Sequence, residues 1–185
     1  MERALGLQWC MESDTFNFRM DCKERRPTRR GILSVVSSVY DPLGYIAAVT
    51  LPAKHILQEL CRQGRGWDEE IPQDLQQKWI NWLSDLKELS RFHVQRCLKP
   101  LDFGPPVHAQ LHHFSDASEV GYGTVTYLRM ENGEDDIHVS FLLGKSRVTP
   151  LKLVTIPRLE LTAAVLAVRL DKMVKAELQL QLAES

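Results

Sequence analysis

The sequence has no strong excess of charge: 23 Lys and Arg side chains are balanced by 24 Asp and Glu, for a formal net charge of -1. A chain with this balance has no overall attraction for polyanions, so any contact with nucleic acid must come from a local basic patch. It also lacks an apolar run long enough to span a bilayer and an apolar signal core at its start. We therefore expect a protein that contacts no membrane and is not secreted.

Cysteine is scarce and dispersed. The four cysteines form no Cys-x-x-Cys pair and are Cys10, Cys22, Cys61 and Cys97. This spacing does not suit a zinc site or a disulfide framework, and it favours free thiols in a cytosolic or nuclear protein. With 185 residues, 44% of them hydrophobic, the chain can bury a real core in one large domain or two small ones.

The first thirty residues combine two strand-like pieces with a basic run. Residues 5–9 and 15–18 have the strand character, and a turn at 12–14 would make them a hairpin that needs a surface to lie on. The basic run consists of Lys23, Arg25, Arg26, Arg29 and Arg30. It is either a solvated linker or a phosphate contact, since each cation can displace a counterion from a nucleic-acid backbone.

Three helices are predicted between residues 28 and 90. The first has Thr28 as a possible cap and runs to Val39. The second is expected to open at Pro52 and to end at Gly64-Arg65-Gly66. The third follows Pro72, and its tryptophans Trp79 and Trp82 recur at helical spacing with leucines. Aromatics in such a pattern usually belong to a core, so we do not expect them to stack on bases.

A proline-rich stretch, Lys99 to Pro106, predicts a linker before the last part of the chain. Beyond it, residues 111–114 read as a buried strand that ends in Ser-Asp-Ala-Ser, and residues 120–127 and 137–142 read as a hairpin joined across Asn132-Gly133. A helix should follow, with Pro157 at its first position and Glu160 in its first turn.

Two acids in this last part, Asp116 at the end of a strand and Glu160 on a helix, form a plausible half of a two-metal site for phosphodiester hydrolysis. That reaction needs a generated hydroxide and a stabilised leaving oxygen, and carboxylate oxygens suit the magnesium ions that supply both. Each acid also has an ordinary interpretation. Asp116 would then be a strand-end acid, and Glu160 would complement the helix dipole.

The order Asp116, Gly121-Tyr122-Gly123, a third strand and the run from Arg158 to Ala164 resembles the first half of a ribonuclease H domain. The type is that of LTR-retrotransposon Pol polyproteins of the BEL/Pao group. The run from Leu33 to Gly44, with the later Gly66-Trp67-Asp68, resembles the thumb of their polymerases. The hairpin at the start resembles the end of a reverse-transcriptase palm.

The resemblance implies an α+β chain in three parts: a palm-remnant hairpin and basic linker (1–27), a helical thumb or connection segment (28–100), and the first half of a ribonuclease H-like domain (101–185). That half would contain three antiparallel strands and one long helix. In the family four carboxylates hold two Mg²⁺ ions, and Asp116 and Glu160 match two of them as catalytic and metal-binding residues. The other two would follow residue 185, and no Tyr-x-Asp-Asp polymerase motif occurs.

The implied ancestral function is RNA-directed DNA synthesis and hydrolysis of RNA in RNA/DNA hybrids, and this chain alone is expected to be inactive. An alternative is a non-enzymatic module that binds nucleic acid or protein through the helices and the basic run. A third possibility is an incomplete gene product whose continuation restores the enzyme. The expected partners are an RNA/DNA hybrid and a second copy, since residues 111–114 would form an unpaired sheet edge.

Overall fold

The computed structural model of the chain describes residues 2–4, 7–18 and 25–178, with the backbone alone for 2–4. It divides into unit 1, Met1–Pro42 with Ile46–Arg96, and unit 2, Leu43–Tyr45 with Cys97–Ser185. Each unit combines strands and helices, which confirms the predicted α+β class. The proposed domain limits at 27/28 and 100/101 stay predictions. The main boundary between the two units lies between residues 96 and 97, and three residues from the predicted helical segment, 43–45, belong to unit 2.

Unit 1 contains a small antiparallel sheet. Its strands, in spatial order, are β1 (Glu2–Ala4), β2 (Leu7–Cys10), β3 (Thr15–Asn17) and β4 (His93–Gln95). The hairpin predicted from the sequence is β2–β3. The two flanking strands have three residues each and show no periodicity that would reveal them. They supply the pairing that a lone hairpin would lack.

The rest of unit 1 is helical. Its helices are α1 (Arg29–Ser38), α2 (Ala47–Arg62) and α3 (Gln73–Glu88), and a short 3-10 helix follows at Leu89–Arg91. Thr28 caps α1 as predicted, since its hydroxyl accepts a hydrogen bond from the Gly31 amide at 3.1 Å. Trp79 and Trp82 are buried and stack 5.0 Å apart within the helical core, which confirms their structural assignment.

The predicted start of the second helix is wrong. Pro52 lies inside α2, which begins five residues earlier at Ala47. Proline at this position removes one backbone hydrogen bond. The burial of Thr50, Ala53, Ile56 and Leu60 in the first helical turns and beyond accounts for the longer helix. At the other end Gly64 adopts φ +67° just after the helix, as the glycine-rich stop signal predicted.

Unit 2 is built on a three-stranded antiparallel sheet. Its strands, in spatial order, are β5 (Pro106–Ala117), β6 (Gly121–Asn132) and β7 (Ile137–Val148). All three are longer than predicted because strand pairing extends beyond the apolar segments. One face carries Leu111 opposite Leu128, and both belong to a buried apolar cluster.

The long helix α4 (Ile156–Glu177) covers that face with the predicted residues Leu159, Ala163, Leu166 and Leu170. Its later turns lie against the first half of β5, because Leu170 and Val174 share a cluster with Leu111. The helix therefore runs antiparallel to β5, and its first turns lie at the edge of the sheet where β5 ends. Among the described residues, none of the helices has the length and apolar character needed to cross a membrane.

The position of Glu160 within α4 also needs a correction. Since the helix begins at Ile156 and Pro157 occupies the second position, Glu160 is the fifth residue and lies beyond the first turn. The favourable interaction of an acidic side chain with the helix dipole is strongest within the first turn. This interaction therefore explains the presence of Glu160 less well than the sequence suggested.

A three-residue segment far from the rest of unit 2 in sequence, Leu43–Tyr45, lies against β7. The amide of Gly144 donates a hydrogen bond to the carbonyl of Leu43 at 2.8 Å, and the Tyr45 ring lies 4.7 Å from that of Phe141. Gly44 has φ +79°, and a side chain there would overlap the carbonyl oxygen of Gly144.

Candidate functional site

Asp116 lies near the end of β5, where it pairs with Gly123 of β6, and its side chain is exposed. Side chains alternate between the two faces of a strand, and His113 points towards α4. Asp116, three residues later, therefore points to the opposite face. Because its cross-strand neighbour is a glycine, no side chain stands directly beside the carboxylate. The position is open to solvent and to a ligand.

Glu160 is exposed on the second turn of α4, at the same edge of the sheet as Asp116. The connection from β7 to α4 starts at this edge, since Thr149 donates hydrogen bonds to the carbonyls of Ser118 and Val120. The two acids thus share an edge, although Asp116 projects from the face that α4 does not cover. Their convergence on one ion stays a prediction.

The described residues do not fit a complete magnesium centre. Nowhere in residues 7–18 and 25–178 do three or more His, Cys, Asp or Glu side chains come together as a candidate metal site. Asp116 and Glu160 offer the carboxylate oxygens that Mg²⁺ prefers, but two such groups make a poor cage for an ion that keeps its waters. A catalytic pair of metal ions needs more acids than this edge brings together.

Asp171, the next acid on α4, has a different role. Its carboxylate lies 3.1 Å from Nε2 of His113 and 3.0 Å from Nζ of Lys175, and Nδ1 of His113 lies 2.9 Å from the buried hydroxyl of Thr126. Burial would raise the pKa of Asp171, but the hydrogen bonds from Lys175 and His113 outweigh it and hold the pKa below its usual value. The acid ties α4 to the sheet.

Sequence reasoning missed this connection between His113 and Asp171. The two residues are 58 positions apart, and neither belongs to a recognisable motif. It did establish that His112 and His113 leave opposite faces of the strand, and the structure agrees: His112 is exposed, while His113 is half-buried against α4. Of the four cysteines predicted to be thiols, Cys10, Cys61 and Cys97 are not part of a disulfide, and Cys22 lies outside the described residues.

The basic run divides into two parts in the structure. Arg30 forms a two-point ion pair with Asp68, at 2.8 and 3.1 Å, and Arg29 lies 4.1 Å from the centre of the Trp67 ring. Arg29 also donates a hydrogen bond to the carbonyl of Arg65 at 3.2 Å. These two arginines hold α1 against the loop that follows α2.

Arg25 and Arg26, the other described cations of the run, differ from Arg29 and Arg30. Arg25 and Arg26 are exposed, and in the described part of the chain neither side chain has an acidic partner. Lys23 lies outside the described residues. The nucleic-acid contact of the basic run stays a prediction, and Arg25 and Arg26 are its exposed members without an acidic partner in the described part of the chain.

An antiparallel sheet of three strands followed by a long helix, with one acid at the end of the first strand and one near the start of that helix, is consistent with a ribonuclease H-like class of fold. Comparison with protein families supports the same class. The model of the Pao retrotransposon-like RNaseH-like domain matches residues 28–185. The chain belongs to this family and derives from a retrotransposon Pol protein. A search with the sequence of this chain found no match among curated proteins.

Proposed function

We propose that this chain is a Pol-derived segment that binds RNA/DNA hybrids, with Asp116 and Glu160 as two of the acids of the family's hydrolytic site. The single observation that supports this most directly is the antiparallel course of α4 along β5, which directs Asp116 and Glu160 towards the same end of the sheet in unit 2. Through its own residues the chain binds and orients the hybrid. It does not cleave it, because the described acids are too few to hold the metal pair.

The reverse-transcriptase part of the proposal concerns unit 1. We infer that its small sheet and helices descend from the end of a palm and from the thumb that grips the template-primer duplex. The support from geometry is the exposed pair Arg25 and Arg26, which immediately precedes the first helix.

A hybrid-binding assay with the purified chain tests the proposal. We expect affinity for an RNA/DNA hybrid that falls as salt rises, and no cleavage of the RNA strand with Mg²⁺ present. Magnesium-dependent cleavage by the wild type that is lost in Asp116→Asn, but not in the exposed turn variant Asp135→Asn, would show that the chain is a complete nuclease. Absence of any salt-sensitive affinity would refute the binding function itself.

The split of the basic run gives a sharper test of unit 1. The double variant Arg25→Gln/Arg26→Gln should weaken hybrid binding and flatten its salt dependence, because both exposed cations are lost. The variant Asp68→Asn is the structural comparison, since it releases Arg30 from its ion pair without removing a positive charge. A salt slope that is unchanged in the double arginine variant would identify the run as an ordinary linker.

A second candidate function is protein interaction through a strand edge. β5 is the outer strand of the sheet in unit 2, with β6 on its only paired side among the described strands. An edge of this kind can pair with a strand of a second copy. We expect concentration-dependent self-association in sedimentation experiments. A stable monomer at micromolar concentration, with the amides of residues 111–114 protected from exchange, would contradict this.

A further inference from the structure

The two flanks of α4 differ in charge. Glu160 and Asp171 fall on the flank next to β5, as the contact between Asp171 and His113 shows. On the opposite flank, five residues follow one another at intervals of three or four positions, and this spacing places their side chains in one row along the helix. That row consists of Arg158, Thr162, Val165, Arg169 and Lys172. The helix therefore presents an acidic side to β5 and a basic side to β7.

The basic flank borders a groove of about 250 Å³ on the α4 side of the sheet. We call it the α4–β7 groove. It is lined by Tyr122, Arg147, Leu161, Thr162, Val165, Leu166 and Arg169. Tyr122, at the start of β6, and Arg147, at the end of β7, are cross-strand partners, so the two arginines approach the groove from the sheet and from the helix.

The two arginines of the groove are not neutralised within the described part of the chain. Both Arg147 and Arg169 are exposed, and neither has an acidic partner there. Two guanidinium groups that line the same small groove repel each other, and an anion between them would relieve that repulsion. The planar donor forks of arginine match phosphate oxygens in paired hydrogen bonds.

The extent of the basic row favours a chain of phosphates over a single anion. From Arg158 to Lys172 the helix rises about 21 Å, at 1.5 Å per residue, so the three cations of the row are spread along a line longer than a single anion. Leu161 and Val165 add exposed apolar surface beside the arginines, which suits sugar carbons between phosphates. Lys145, exposed two residues before Arg147 on the same face of β7, extends the positive surface on the sheet side.

We propose that the α4–β7 groove binds the phosphate backbone of a nucleic-acid strand, with Arg147 and Arg169 as its main contacts. This inference rests on the hybrid-binding function proposed above and assigns it a surface in unit 2, separate from Asp116, which faces the other side of the sheet. Because the chain has a net charge of -1, the contact depends on this local arrangement of cations and not on a general attraction for polyanions.

The test compares the salt dependence of hybrid binding in three full-length proteins. These are the wild type, the groove variant Arg147→Gln/Arg169→Gln, and the matched control Arg62→Gln/Arg91→Gln, which removes the same charge from exposed helical positions in unit 1. Loss of two phosphate contacts should reduce the slope of log affinity against log salt by roughly 1.4 to 1.8, while the control changes it little. Far-UV circular dichroism and thermal unfolding verify that each variant is folded.

The possible results separate this inference from the proposed function. A wild type that binds the hybrid, with the same slope in the groove variant, would overturn the groove and leave the proposed function intact. A wild type without affinity for the hybrid would overturn both. Polyglutamate that competes with the hybrid for the wild type, but no longer for the groove variant, would assign the groove to acidic proteins and overturn the phosphate inference. Rescue of the slope by Arg147→Lys/Arg169→Lys would support a contact that depends on charge.

Discussion

The contact that ties α4 to the sheet gives the most direct prediction about unit 2. Replacing Asp171 by Asn removes the negatively charged carboxylate that accepts hydrogen bonds from His113 and Lys175. About one fifth of the side-chain surface of His113 and Asp171 is exposed, so the contact is neither fully buried nor fully screened. Hydrogen bonds to charged groups contribute roughly 1.5–3 kcal/mol to the free energy of unfolding. Screening by solvent at this partly exposed position reduces the expected contribution to about 1–2 kcal/mol. Unit 2 should lose stability by that amount.

Hydrogen exchange measures this effect where it occurs. A loss of 1–2 kcal/mol raises the population of open states by roughly 5- to 30-fold, and the protected amides of β6 should exchange faster by the same factor. All four tryptophans, Trp9, Trp67, Trp79 and Trp82, belong to unit 1, so their fluorescence reports on unit 1 separately. The control is Glu160→Gln, an exposed acid on the same helix, for which little change is expected.

The sign of the pH dependence follows from the lowered pKa of Asp171. A carboxylate with a lowered pKa in the folded state stabilises the fold at pH values above its unfolded pKa, which is about 3.9, and the contribution is lost as pH falls through the folded pKa. Wild type and Asp171→Asn should therefore differ in thermal midpoint at pH 7 and converge at low pH. If Asp171→Asn exchanges no faster in β6 than Glu160→Gln does at pH 7, the argument is refuted.

Two further predictions concern the backbone. Gly44→Ala should destabilise the protein by clearly more than Gly64→Ala. Both glycines have a positive φ, which costs roughly 1–2 kcal/mol when alanine adopts it. Only at Gly44 would the new methyl group also overlap a carbonyl oxygen, that of Gly144. Equal losses in denaturant unfolding would contradict the close approach. Thr28→Ala should cost about 1 kcal/mol through loss of the α1 cap, whereas Thr28→Ser should retain most of it; equal losses in both variants would argue against the cap.

The sequence predicted those features that depend on local chemistry. Capping by Thr28, the glycine end of α2 at Gly64 and the buried face of α4 all follow from the spacing of a few neighbouring residues, and the structure confirms them. The predicted start of α2 was wrong because proline often marks the first turn of a helix. In this helix the burial of apolar side chains outweighs the one backbone hydrogen bond that Pro52 removes.

The features that escaped prediction depend on partners far away in sequence. The strands β1 and β4 are too short to show a period. In addition, β4 pairs with a strand far away in sequence, since His93 of β4 is the partner of Asn17 of β3, 76 positions earlier. The same holds for the candidate site. Asp116 and Glu160 could be selected from the pattern around them, but the face on which Asp116 lies follows only from strand register and the position of α4.

The contact between Leu43–Tyr45 and β7 has a consequence for any attempt to excise the ribonuclease H-like unit. Gly144 uses its amide on the side of β7 away from β6, so the backbone of Leu43 shields part of that outer strand. A proteolytic cut or a cloning boundary at residues 96/97 would separate unit 2 from these three residues and leave the edge bare. A fragment starting at Cys97 should therefore aggregate more readily than the full chain. Adding a peptide that spans residues 43–45 should restore its solubility.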